Sequence, residues 1–264
     1  MGRYSFFPRV ILVVIALLVL KSLADNAGWA VIPINTLTGA FFGGVFFTIS
    51  IIFAGAMTDY KEAEKIPGEL AVILKALHND ARMLYPQKVE KASVDKLVMN
   101  TERLLSVINE NFRSNKWHKK NLDIVINQLA DDIAVLIAAG ASAGILMKMR
   151  DNLTAIDRLS HRIDAIQETS FIPSAYAMTE LAVAAVLLIF IFAKNEWAFG
   201  GIALFSAISF VLIGIILLIR DMDNPFEYGK HTYADVDLSV LFKLETRWQN
   251  QQSTTETKPE VSLA

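Results

Sequence analysis

Long uncharged apolar blocks alternate with one long charged stretch, and this pattern constrains the fold more than any other feature. A bilayer core about 30 Å thick is crossed by about 20 helical residues, because an α-helix rises about 1.5 Å per residue. Leu37–Met57 and Trp197–Ile219 are uncharged, and Phe171–Ala193 is interrupted only by Glu180. With the N-terminal block Phe6–Ala24, the sequence predicts four transmembrane helices.

These blocks divide the chain into four parts, and all of its predicted regular structure is α-helical. Residues 1–57 form a first transmembrane pair, with spans at about 6–24 and 34–57, and residues 174–219 form a second pair. Residues 58–173 form a helical portion between the pairs. The tail, 220–264, is polar at its end, and we expect it to be disordered after about residue 249.

The first block also has features of a secretory signal peptide. It has a basic start, a short apolar core at Val10–Leu20 and a plausible cleavage end at Ser22–Ala24. Lys21 in the cleavage region and the aromatic residues near the start favour an uncleaved anchor. In both cases residue 25 lies outside the cytoplasm, so the later topology is the same.

Lysine and arginine counts predict the orientation. Residues 58–173 hold 16 of them, whereas the predicted loops 21–36 and 194–196 hold one each. Cytoplasmic segments carry the excess of basic residues, so we expect both termini and the helical portion to be cytoplasmic. The predicted location is the cell (inner or plasma) membrane, with a tight turn at Lys194-Asn195-Glu196 joining the last two spans.

One further stretch, Ile133–Met147, holds 15 uncharged residues and is the main threat to this topology. As a fifth span it would leave either the 12 basic residues before it in the portion, or the four after it, outside. We therefore expect a buried helix within a cytoplasmic assembly. A helix that is apolar on all sides must be covered, and in so small a portion other subunits are the expected cover.

The portion between the membrane pairs has helical periodicity almost throughout. Predicted helices cover Tyr60–Leu84, continuous with the second span, then Ser93–Phe112, Asn121–Ala139 and Ala141–Thr169. Its 16 basic residues are balanced by 16 acidic ones. Such mixed charge is typical of a solvated surface rather than of a patch that binds an anionic partner.

Several function classes lack support in the sequence. There is no cysteine, and the four histidines form no metal-binding pair, so we expect each to be an ordinary surface or interface residue. Phosphate-binding loops, dinucleotide-binding glycines and hydrolase or metalloprotease motifs are missing. The net charge of −2 gives no case for nucleic acid. We predict no enzyme activity, no cofactor, no metal and no nucleic-acid partner.

The second span carries small residues along one face. Thr36, Gly39, Ala40, Gly43 and Gly44 recur at helical spacing. Such a stripe is typical of close helix packing, and it is also compatible with a pore whose small side chains leave a lumen. The phenylalanines of this span, among them Phe47, fit either lipid contact or a constriction.

Ionisable residues near the membrane form two further candidate functional sites. Glu180 lies within the third span, where such residues often have functional roles, although it is close enough to the cytoplasmic edge to reach the interface. After the last span, carboxylates cluster beside a turn that could hold a hard cation or be simply solvated. The residues of this turn are Asp221, Asp223, Asn224, Pro225 and Phe226.

Three places in the chain resemble the bestrophin family, and specifically its bestrophin-like bacterial membrane proteins. Ile32-Pro33-Ile34 with Gly39 resembles the start of the family's pore helix, and Glu64-Lys65-Ile66-Pro67 resembles the Glu-x-x-Pro that follows it. Asp223-Asn224-Pro225-Phe226 resembles the family's Asn-Pro-Phe signature, with an acidic stretch at Ala234–Leu238. The order of spans, helical insert and tail also agrees.

This resemblance implies a homopentameric anion channel, all helical, with the second helix of each subunit lining the pore. Ile32, Thr36 and Ala40 would occupy the narrow neck, and Pro33, Gly39, Gly43 and Phe47 would be further pore-lining positions. The implied partners are the bilayer, other copies of the chain and small inorganic ions.

Two other functions remain open from the sequence. The long helical insert is compatible with a membrane-anchored scaffold or signalling protein that binds a partner. A transporter would require inverted repeats and broken helices. No internal repeat is evident, and only Gly43-Gly44 suggests a break.

Overall fold

The computed structural model describes residues 6–168, 173–194, 198–229 and 234–256. Within these ranges the chain forms helices and no strand, which confirms the predicted all-α class. The helices are α1 (Phe6–Asn26), α2 (Thr36–Arg82), α3 (Lys91–Ser114), α4 (Lys119–Ala138), α5 (Ala143–Glu168), α6 (Pro173–Ile191), α7 (Ala198–Met222) and α8 (Ser239–Glu256).

Four of these helices contain a segment long and apolar enough to cross a membrane. They are α1, α2, residues Ser174–Ile191 of α6 and residues Gly200–Met222 of α7. Each coincides with one of the predicted apolar blocks. The turn predicted at Asn195 and Glu196 lies outside the described residues.

The second span and the helix after it form one unbroken helix, α2, of 47 residues. It ends at Arg82, two residues before the predicted end at Leu84. Pro67 lies inside α2, where its missing N–H removes one intrahelical hydrogen bond. The helix nevertheless continues for four more turns, so Pro67 does not end it.

The expectation of one buried helix at Ile133–Met147 is wrong, because the stretch contains the end of one helix and the start of the next, as the predicted helices Asn121–Ala139 and Ala141–Thr169 already implied. α4 ends at Ala138, and α5 begins at Ala143. Gly140 between them has a φ of +82°, a conformation that glycine adopts without steric cost and that ends a helix. Val135 and Met147 are more than half exposed, so the stretch is only partly buried in the subunit.

The tail contains a helix that the sequence did not indicate. α8 continues to Glu256, past residue 249, where disorder was expected to begin. Its apolar residues Leu241, Leu244 and Trp248 are buried. Residues beyond 256 lie outside the described part of the chain.

The chain divides into two compact units. The first comprises the described residues up to Lys61, those from 173 to Pro225, and 234–235. Its main core joins α2, α6 and α7 through Phe42, Val45, Ile49, Val183, Val186, Phe190, Phe205 and Leu212. The rings of Phe42 and Phe190 stack at 4.6 Å between centroids. Against lipid, such close packing replaces the hydrophobic effect as the force that holds helices together.

The second unit comprises Glu62–Glu168, Phe226–Gly229 and the chain from Val236. α3 contacts both α4 and α8, and α4 contacts α5. Its interior includes His78, whose ring stacks on Trp248 at 4.3 Å and whose Nε2 lies 3.1 Å from Glu102. The expectation of an ordinary surface or interface histidine is therefore wrong for His78, which is only 4% exposed.

The turn between α4 and α5 allows a matched test. Gly140→Ala should destabilise the protein by about 1 kcal/mol, because a side chain at positive φ is strained. Gly144 is helical and has nothing within 4 Å of an added Cβ, so Gly144→Ala should leave stability unchanged or raise it by about 0.5–1 kcal/mol. Thermal unfolding midpoints in detergent compare the two, and equal shifts in both variants would contradict this account.

Candidate functional site

The start of α2 is formed by a reciprocal cap. Asn35 Oδ1 accepts hydrogen bonds from the backbone N–H groups of Leu37 at 3.0 Å and Thr38 at 3.1 Å. In return, Thr38 Oγ1 accepts a hydrogen bond from the Asn35 N–H at 2.8 Å. These bonds satisfy donors that a helix start otherwise leaves free. Thr36 is consequently the first helical residue of α2.

The residues before the cap, Ile32 and Pro33, lie outside the helix. The Ile32 N–H donates to the Phe192 carbonyl at 2.9 Å, and the Ile32 carbonyl accepts from the Lys194 N–H at 2.8 Å. This pair of bonds ties the segment that leads into α2 to the end of α6. Of the predicted neck residues, Ile32 is thus held by backbone bonds, whereas Thr36 and Ala40 are on the helix.

The membrane part of α2 has two contrasting faces. Phe42, Val45 and Ile49 are buried against α6 and α7. The predicted pore-lining residues that lie on the helix are exposed in the subunit, and they are Thr36, Gly39, Ala40, Gly43 and Phe47. Phe47 is 69% exposed. The five predicted positions on α2 therefore lie on a surface that no other part of the described subunit covers.

The glycines of this surface do not serve close packing inside the subunit. A Cβ added at Gly39, Gly43 or Gly44 would meet nothing within 4 Å. Small residues at a packed helix crossing would show close neighbours, since their role there is to let backbones approach. Of the two functions considered for the small-residue stripe, packing within one chain is therefore not observed among the described residues.

Glu180 is paired with a cation. Its Oε1 accepts a hydrogen bond from Arg220 Nε at 2.9 Å, and Arg220 Nη2 lies 2.7 Å from the same oxygen in an ion pair. The two side chains are 40% and 60% exposed in the subunit. The pair joins α6 to the end of α7, so Glu180 is not an isolated intramembrane charge.

The carboxylates after α7 accept hydrogen bonds that shape the tail. Asp221 Oδ2 accepts from the backbone N–H of Ala234, and Asp223 Oδ1 accepts from the Tyr176 hydroxyl at 2.9 Å. Asn224 and Pro225 lie in the turn that follows α7. Across the described residues, no group of three or more acidic or histidine side chains could hold a metal ion. The first unit thus uses these carboxylates to organise its backbone.

Phe226 belongs to the second unit, where it is fully buried. Its ring centroid lies 5.7 Å from that of Phe112 on α3. Two residues later, the Tyr228 N–H donates to Asn115 Oδ1 at 2.5 Å, and Asn115 Nδ2 donates to the Tyr228 carbonyl at 2.8 Å. The aromatic residue of the Asn-Pro-Phe sequence thus anchors the tail on the end of α3.

Asp237 caps α8. Its Oδ1 accepts a hydrogen bond from the Ser239 N–H at 2.9 Å. This bond, with a second from the Ser239 side chain, holds the pKa of Asp237 below its usual range. The cap therefore stabilises the start of α8 above about pH 4, and this stabilisation is lost as the pH falls through the lowered pKa.

Comparisons with known proteins bear on the fold. No protein-family model and no curated protein matches the chain. Among solved structures, one point variant of the bacterial Bestrophin homolog from Klebsiella pneumoniae aligns with a TM-score of 0.77 at 12% identity, covering 96% of this chain and 99% of that chain. A second variant aligns with a TM-score of 0.75 at 12% identity, covering 92% and 99%. A structure of a membrane protein aligns with a TM-score of 0.74 at 12% identity, covering 95% and 99%.

The fold is that of the bacterial bestrophin homologues. The resemblance predicted from short motifs is confirmed at the level of the fold, over most of the chain. At 12% identity the likeness establishes the fold alone.

Lys21 is a residue of this bestrophin fold whose role the sequence did not reveal. It was assigned to a loop, but it lies in α1 and is only 4% exposed. Its Nζ donates to Asp25 Oδ1 at 2.5 Å and to the Ala193 carbonyl at 2.6 Å. Asp25 four residues later was the only available signal, because a lysine and an aspartate at this spacing share a helix face.

The Asn35 cap is testable in the full-length protein. Asn35→Ala should destabilise the start of α2 by about 1 kcal/mol, because two backbone donors lose their acceptor. Asn35→Asp keeps a carboxylate oxygen at the same place and serves as the control. Hydrogen exchange at the amides of Leu37 and Thr38 should rise several-fold in the first variant only, and unchanged exchange there would show that the cap does not define the helix start.

Proposed function

We propose that the chain is a subunit of an oligomeric channel that conducts small inorganic ions passively, with anions preferred. The observation that carries this proposal is the surface of α2 formed by Thr36, Gly39, Ala40, Gly43 and Phe47. It is exposed along a membrane-length helix whose opposite face is buried. A Cβ added at either of its glycines would meet no atom of the described residues within 4 Å.

A ring of such helices would bring these surfaces together around an axis. Small side chains there leave space for ions, and larger apolar ones form constrictions that gate by wetting. Thr36 and Ala40 would then lie near the neck, with Pro33 and Ile32 leading to it and Phe47 deeper in the pore. The bestrophin resemblance suggests five subunits and selectivity for anions.

Exposed apolar residues outside the membrane helices also favour an oligomer. Val135 is 58% exposed, Ile137 is 41% exposed and Met147 is 52% exposed, all around the turn between α4 and α5. Apolar side chains grouped at a surface mark interaction sites more often than isolated ones do. We assign this turn to contact with neighbouring copies of the chain.

The proposed arrangement is a multi-pass protein of the cell membrane with both termini in the cytoplasm. The support for this orientation is the excess of lysine and arginine in residues 58–173 over the short loops. On this proposal the four predicted parts keep their membrane and cytoplasmic assignments.

The first test is the subunit number of the detergent-purified protein, measured by native mass spectrometry. We expect a pentamer. A monomer or dimer would remove the axis that a central pore requires, and would favour instead the membrane-anchored scaffold whose cytoplasmic helices bind a partner.

The second test is ion flux in proteoliposomes. Thr36→Phe and Ala40→Phe should each lower chloride flux, because a bulky apolar ring narrows the neck, and an added barrier of about 1.4 kcal/mol corresponds to about tenfold. Leu181→Phe, at a 72% exposed position of α6, is the matched control and should conduct normally. Equal flux in all three variants would place the conduction path away from this face of α2.

A further inference from the structure

A cleft in the first unit lies between the end of α6, the start of α7 and the segment that leads into α2. Its volume is about 560 Å³, within the range of about 300–1,000 Å³ typical of small-molecule sites. Phe190, Phe205 and Leu204 form much of its apolar wall, together with Pro33 and Ile34. Two lysines, Lys21 and Lys194, also line it.

The two lysines are brought together by the end of α6. The Lys21 ammonium donates to the carbonyl of Ala193, and the next residue is Lys194, whose N–H is bonded to Ile32. Their backbones and, for Lys21, the side chain are thus held in place. The fold therefore fixes the Lys21 ammonium and the backbone position of Lys194 beside the apolar wall.

The described residues that line the cleft carry a net positive charge. Lys21 is neutralised by Asp25 at 2.5 Å, but an ammonium has three donors, and only two are used by the partners observed among the described residues. Lys194 is exposed, and the described residues that line the cleft include no carboxylate. Among the described residues that line the cleft, Lys194 therefore contributes one positive charge that no lining carboxylate neutralises.

The depth of the cleft matches that of lipid headgroups. The candidate spans of α1 and α6 end at Asn26 and Ile191, and that of α7 begins at Gly200. Lys21 and Lys194 therefore lie where apolar helix gives way to the interface. Leu204 and Ile34, 55% and 54% exposed, continue the apolar wall.

We propose that this cleft binds one anionic lipid, with the phosphate at Lys194 and Lys21 and an acyl chain against Phe190, Leu204 and Phe205. The argument is complementarity: an amphiphile with a negative head and an apolar chain satisfies both walls, whereas a free anion would leave the aromatic wall without a partner. The proposal is independent of ion conduction.

The test uses the purified full-length protein and native mass spectrometry with phosphatidylglycerol and phosphatidylcholine of identical acyl chains. Phosphatidylglycerol should bind more tightly. Lys194→Gln should weaken its binding about fivefold, corresponding to loss of one interfacial basic residue, and should leave phosphatidylcholine unchanged. Lys88→Gln, an exposed lysine of the second unit, is the matched charge control.

A second variant tests the apolar wall. Leu204→Trp fills the cleft and should abolish retention of phosphatidylglycerol, while Leu181→Trp on an exposed face of α6 should not. Lys21 is left unchanged in these tests because it also holds the end of α6.

Three results would overturn the proposal. One is equal affinity for the two lipids. Another is that inorganic phosphate displaces phosphatidylglycerol while Leu204→Trp still binds phosphatidylglycerol fully. These two results together would identify a site for free anions. The third is a change of oligomeric state in Leu204→Trp with no change in lipid binding, which would identify the cleft as a contact between copies.

Discussion

A helix in lipid satisfies its backbone N–H and C=O groups with hydrogen bonds inside the helix. At its two ends some of these groups have no partner within the helix, so other residues have to bond to them. The first unit does this with few residues. Asn35 supplies the acceptor at the start of α2, and Lys21 supplies a donor at the end of α6. Ile32 adds two backbone bonds beside them. The positions at which the helices can start and stop are set by these contacts, and the exposed face of α2 follows from where Asn35 places the first turn.

Prediction from sequence succeeds where one physical rule dominates. Length and hydropathy located the four helices that are long and apolar enough to cross a membrane, because lipid admits almost no other structure for an apolar segment of that length. Periodicity located α3, α4 and α5 to within a few residues, because their apolar positions recur at helical spacing. The shared face of the small residues of α2 was also predicted, since they recur at helical spacing, but the sequence did not say whether that face would be packed or exposed in the subunit.

The misses depend on contacts between residues distant in the chain. Lys21 donates to the carbonyl of Ala193, 172 positions away, and no sequence feature near either residue predicts this contact. α8 was missed because its end is polar, while its stability comes from tertiary burial of Leu241 and Trp248. The Ile133–Met147 stretch shows the two kinds of inference side by side. Its uncharged composition suggested one buried helix, whereas the predicted helix bounds on either side of Gly140 agree with the break that the structure has there.

The open space around Gly39, Gly43 and Gly44 distinguishes two reasons for a glycine, close packing within its own chain and contact with something outside it. In most proteins a buried glycine is retained because its own chain needs the room. Here a methyl group at any of the three would meet no atom of the described residues within 4 Å, so packing within the subunit does not require these glycines. The composition of that face is therefore free to meet demands from outside the single chain, such as a neighbouring copy, a lipid or an ion path.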